Sequence, residues 1–82
     1  MVSIIRPPNG PIAGEDFQVG VDGEPPLTFT YIVAGMTPRT TRLADSNNLP
    51  IIPIPAGTSG ATLTVHAWDK NGRDQETWVI AR

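Results

Sequence analysis

The chain has no cysteine among its 82 residues, which excludes disulfides and thiolate metal sites alike. It has a single histidine, His66, and a nucleophile–base–acid triad would have to converge there. His66 lies between Val65 and Ala67 on an alternating stretch, and Ser3, Ser46 and Ser59 fall in other segments. No catalytic set can be named, so the chain is not expected to be an enzyme. Basic charge is also scarce. Six Lys plus Arg stand against eight Asp plus Glu, for a net charge of −2. Without a basic stripe to hold phosphates, nucleic acid is not an expected partner. Long apolar runs are missing too. The longest are a few residues, far short of the roughly 20 that span a bilayer, so no membrane insertion is expected. Met1-Val2-Ser3-Ile4-Ile5-Arg6-Pro7 has no basic start followed by an apolar stretch, and no signal peptide is expected in this chain. Helical periodicity is absent, and nine prolines and eight glycines interrupt the chain often.

What is present is alternation of period two. The apolar fraction, 39%, with only 17% charged residues, suits a folded globule rather than a disordered tail. At this length one domain is expected, spanning residues 1–82 and burying roughly 60% of the surface its unfolded chain exposes. Strand-like runs cover residues 2–6, 16–21, 27–33, 40–43, 61–69 and 74–81, separated by Pro-, Gly- and Asn-rich turns. Residues 49–55, Leu-Pro-Ile-Ile-Pro-Ile-Pro, contain three prolines that cannot donate to a ladder, which predicts an edge strand or extended rim. The expected fold is all-β: a sandwich of six or seven antiparallel strands in Greek-key order.

The C-terminal third carries a resemblance. Gly60-Ala61-Thr62-Leu63-Thr64-Val65-His66-Ala67-Trp68-Asp69-Lys70-Asn71-Gly72 resembles the late-strand signature of bacterial and bacteriophage immunoglobulin-like modules. There an alternating Leu-Thr-Val-x-Ala-x strand runs into an Asp-x-x-Gly hairpin turn. Ile12-Ala13-Gly14-Glu15-Asp16-Phe17-Gln18-Val19 is similar to their early turn, in which Gly-Glu precedes the second strand. Two departures stand out. Ala61 occupies the place where many members carry a corner tyrosine, and the antibody-type disulfide is absent. The resemblance implies an immunoglobulin-like sandwich found in two settings. One is the surface of phage particles, as capsid-decoration or tail components assembled in the host cytoplasm, with a capsid or tail protein as partner. The other is a spacer or binding module of a larger secreted enzyme or adhesin at the cell surface, contacting neighbouring domains or a cell-surface glycan. No cofactor is implied in either.

Asp69, Asn71 and Asp74 invite comparison with a calcium loop. Gly72 comes too early for that spacing and the closing glutamate is missing, so the reading is a hairpin turn with Gly72 at positive φ and no metal. Asp22, Glu24 and Asp45 read as solvated loop acids, and Arg39 and Arg42 as a small basic strand edge.

The tryptophans depend on that hairpin. A two-residue turn at Asn71-Gly72 sets Val65 opposite Trp78, putting Trp78 and Ile80 in the core and His66, Trp68, Thr77 and Val79 outside. A three-residue turn with a bulge at Gly72 shifts the register by one and puts both tryptophans outside. The first register is preferred because it buries more apolar surface, at about 25 cal/mol per Å². Trp68 faces outward in both. Beside His66, Ile32 and Val79 it forms the candidate binding surface, unless residues 49–55 fold over it. Ile51, Ile52 and Ile54 form a second candidate patch on the proline-rich edge.

Overall fold

Alternating apolar residues form strands when one side of the backbone is buried and the other solvated, and the computed structural model of residues 1–82 shows this along nearly every run. It contains no helix. Nine short strands form: β1 (Ser3–Ile5), β2 (Asp16–Gln18), β3 (Gly20–Asp22), β4 (Leu27–Val33), β5 (Arg39–Leu43), β6 (Asn47–Asn48), β7 (Ile51–Pro53), β8 (Thr62–Asp69) and β9 (Gly72–Val79). All ladders between them are antiparallel, and one isolated parallel bridge joins Ile12 to Ala81.

Four strands form the first layer in the order β5-β4-β8-β9. The second layer holds β1-β3-β6 and β2-β7. Its two parts share one register: Gln18 lies opposite Ile51 and Val21 opposite Asn48, three residues further along each strand. Between them the ladder is interrupted at Pro50, which has no amide hydrogen, although the Val19 amide still donates to the Pro50 carbonyl (3.3 Å). Counted this way, the nine segments make seven strands. The core between the layers is a single cluster of 16 hydrophobic residues with no buried polar side chain. Phe17, Val19, Val21 and Ile52 enter it from the second layer, and Leu27, Phe29, Leu63 and Val65 from the first.

The β8–β9 hairpin corrects one expectation. Asp69 pairs with Gly72, so the two turn residues are Lys70 and Asn71, not Asn71 and Gly72. Gly72 begins β9 without positive φ. The Asp69 side chain organises the turn instead, with Oδ1 accepting the Asn71 amide (2.7 Å), an Asx turn. Leu63, rather than Val65, therefore lies opposite Trp78. A shift of two residues keeps every side chain on its face, so Trp78 and Ile80 are buried and Trp68, Thr77 and Val79 face outward, as the preferred register requires. The bulged register is not the one formed.

The proline-rich segment brings a second correction. β7 is an edge strand paired only with β2, and it obeys the same alternation as its neighbours. Ile51 points outward, but Ile52 (0% exposed) and Ile54 point into the core. The expected isoleucine patch does not exist. Nor does this segment cover Trp68, because it belongs to the opposite layer.

Candidate functional site

β4 and β8 lie in the middle of the four-stranded sheet, and their outward positions fall into cross-strand rows. One row runs Arg42, Thr28, Trp68, Arg73 across β5, β4, β8 and β9. The next runs Thr40, Thr30, His66, Gln75. Strands are spaced about 4.8 Å apart, which sets Arg73 one strand from Trp68 on one side and Arg42 two strands away on the other. Trp68 is 39% exposed, and with His66, Asp69, Gly72 and Arg73 it lines a shallow depression of about 340 Å³. The Thr30 and Thr40 hydroxyls hydrogen-bond each other (3.0 Å).

Sequence reasoning grouped Trp68 with His66, Ile32 and Val79. The structure keeps Trp68 and His66 as neighbours two residues apart on β8. Ile32 and Val79 are elsewhere on the same face. Ile32 is half-buried opposite Thr64, and Val79 is opposite Thr62, six residues from Trp68 along β8. At about 3.3 Å per residue Val79 lies some 20 Å from the tryptophan. Thr30, Thr64, Thr77, His66 and Gln75 occupy the outward positions between, so the face is a polar platform with Trp68 at one end rather than one apolar patch.

What sequence reasoning missed is how charge is sorted. Parity places Arg42 and Arg73 outward on this sheet and places no carboxylate there. On β9, Asp74 and Glu76 lie on the inward parity at the sheet edge, where β1 approaches. Asp74 Oδ2 accepts the Ile4 amide (2.8 Å) and Oδ1 the Gln75 amide (2.9 Å). Glu76 Oε1 accepts from Arg6 Nη1 (2.7 Å), which also reaches the Thr77 carbonyl (3.2 Å). The Arg6 guanidinium lies 4.5 Å from the Trp78 ring centroid and closes the core over that side chain.

The acids once compared with calcium ligands are engaged by backbone amides. Asp69 Oδ2 accepts the Glu24 amide (3.0 Å) while Oδ1 holds the hairpin turn. The Glu24 amide is the largest cause of a carboxyl held below its ordinary value near 3.8. Partial desolvation opposes it, and the Asn71 and Gly72 amides add to it. Glu24 in turn accepts from Asn71 Nδ2 (2.7 Å) and pairs with Lys70 (3.5 Å). These contacts fasten the turn at residues 22–26, which contains the cis Pro25–Pro26 bond, to the hairpin tip beside Trp68.

A groove of about 350 Å³ opens between the layers at the opposite edge, lined by Tyr31, Met36, Arg39, Pro53 and Pro55 among others. It contains no carboxylate, cysteine or histidine.

Comparison of the chain with protein-family models, curated proteins and solved structures finds no significant match in any of the three.

Proposed function

We propose that the protein is a non-catalytic, immunoglobulin-like binding module that docks a macromolecular partner through the outward face of its four-stranded sheet. One observation carries the reading: a half-exposed tryptophan stands in a row with two arginines on a face whose outward strand positions carry no carboxylate, with Asp69 at the rim beside the tryptophan, in a chain whose net charge is −2. Tryptophan and arginine are the side chains most enriched among interface hot spots. The immunoglobulin-like assignment is supported by connectivity. Read as seven strands A, B, C, C′, E, F and G in chain order, one layer is A-B-E and the other C′-C-F-G, with B to C, C′ to E and E to F crossing between layers.

The setting we propose is the surface of a bacteriophage particle, as a capsid-decoration or tail component. It rests on the resemblance at residues 60–72 and 12–19. The sugar-binding alternative needs a second aromatic on the face, and Trp78 is 7% exposed with its ring edge-on to Phe17, leaving Trp68 alone there. Density-gradient fractionation of the native source, with the chain followed by mass spectrometry, tests the setting. Sedimentation with dense particles supports it, and recovery only within a longer exported chain rejects it. On those particles, Trp68→Ala should compete for binding at least about tenfold less well than the unaltered chain. Equal competition would remove the face from the reading.

A further inference from the structure

The second layer has an outward face of opposite character. Its outward positions include Asp16 and Asp22 and no lysine or arginine. Three large apolar side chains are exposed there: Ile5, Leu49 (68%) and Ile51. Gly20 explains their grouping. It pairs with Ile5, and a Cβ built on it would lie 3.1 Å from the Ile5 Cβ, so the isoleucine rests on a position with no side chain. The shared register carries the same row on to Leu49, with Ile51 opposite Gln18 in the next row. Gln18 Nε2 donates to the Leu49 carbonyl (3.1 Å) and pins that end of the patch.

At its outward strand positions one broad side of the sandwich therefore carries only arginine charge, in a row with an exposed tryptophan and with Asp69 at the rim, and the other carries only aspartate charge around three exposed aliphatic side chains. We propose that copies of this protein stack front to back, the Trp68 face of one docking on the Leu49 face of the next. This rests on the binding role given above to the Trp68 face, and it names a second copy as the partner. The charges at the outward strand positions are complementary between the two faces and alike within each. Front-to-back contact is thus favoured, while front-to-front and back-to-back contacts set like charges together. The size is adequate. The molecule measures 35 × 25 × 16 Å, so a broad side offers close to the roughly 800 Å² per partner of a standard interface. Such a contact is heterologous. It leaves a free front and a free back after every addition, so growth does not stop at two unless the rotation closes a ring. Exposed charges carry part of it, so salt weakens it.

The test is sedimentation velocity of the purified 82-residue chain up to about 1 mM, with low and high salt compared. The average mass should rise with concentration above 8.8 kDa, pass that of a dimer, and fall back in high salt. Arg73→Glu removes the front, and Asp16→Arg removes the back. Both residues are exposed, and circular dichroism and melting should show each variant folded as the unaltered chain. Each alone should be monomeric. Mixed in equal amounts they should form a dimer and stop, because only one intact front and one intact back remain. A chain monomeric at about 1 mM overturns the proposal, as does an Asp16→Arg variant that still associates or a mixture that stays monomeric. If the chain is monomeric yet binds particles through Trp68, stacking is rejected and the particle reading stands. If it stacks as described but never sediments with particles, the particle reading falls alone.

Discussion

Replacing each tryptophan with alanine should produce opposite kinds of variant. Trp78 is 7% exposed, lies edge-on to Phe17 with ring centroids 5.2 Å apart, and is covered by the Arg6 guanidinium. A tryptophan buries about 150–250 Å². At about 25 cal/mol per Å² that is about 4–6 kcal/mol, an upper bound because alanine retains part of the contact and the site relaxes. Aromatic-to-alanine changes in cores cost about 3–5 kcal/mol, and we expect about 4 for Trp78→Ala. A domain of this length is stable by about 4–12 kcal/mol, so the loss is a third of the total or all of it. Trp68 stands on the outer face, 39% exposed, and its cross-strand contacts with Thr28 and Arg73 are worth about 0.2–1 kcal/mol each, so we expect a loss of about 2 kcal/mol or less. Urea unfolding followed by far-ultraviolet circular dichroism measures both. With a slope near 1 kcal/mol per molar, the midpoint should fall by about 4 M for Trp78→Ala and by about 2 M or less for Trp68→Ala, with the slope unchanged. Equal shifts, or a larger loss for Trp68→Ala, would refute the assignment of faces and with it the platform on which the binding argument stands.

Gly23→Ala should destabilise by about 1–3 kcal/mol in the same assay, because the added Cβ would lie 2.5 Å from Leu27 Cδ2 and 3.2 Å from Val2 Cγ2, inside the core edge. Asp69 should contribute a pH dependence. Its carboxyl is held below the ordinary value near 3.8 when folded, so the stability it adds is complete above that value and is lost as pH falls through the lower folded one. Melting temperature followed from about pH 6 to about pH 2 should decline more steeply for the unaltered chain than for Asp69→Asn, and parallel curves would show that the carboxylate adds nothing.

Period-two alternation was enough to read the all-β class and most strand positions. Residues 27–33 form a strand with the bounds expected, because Leu27, Phe29 and Val33 alternate with half-exposed residues along an interior strand. The hairpin turn was harder. Asn71-Gly72 has the local chemistry of a type I′ turn, but Asp69 is better placed, able to accept the Asn71 amide with one oxygen and the Glu24 amide with the other. The second bond comes from a residue 45 positions away, which no local window contains. The Asp-x-x-Gly pattern at residues 69–72 describes the closing pair that forms. Ile51, Ile52 and Ile54 were misread for a different reason. Proline content correctly marked an edge, but an edge strand still has an inner side, and two of the three isoleucines are on it.

The candidate site was legible as a residue, Trp68, but not as a surface. Which side chains join it depends on three registers, β4 with β5, β4 with β8 and β8 with β9, and each is set by contacts distant in sequence. The same registers sort the charges. Because the core buries no polar side chain, every charged group lies on a face, an edge or a loop, and parity decides which. Arg42 and Arg73 fall outward on one layer and Asp16 and Asp22 outward on the other, while Asp74 and Glu76 are drawn to the β1 edge by the Ile4 amide and Arg6. A net charge of −2 therefore conceals outward strand positions of opposite sign on the two layers. For a domain with little room for a deep pocket, the asymmetry between those faces is the feature most able to select a partner and an orientation.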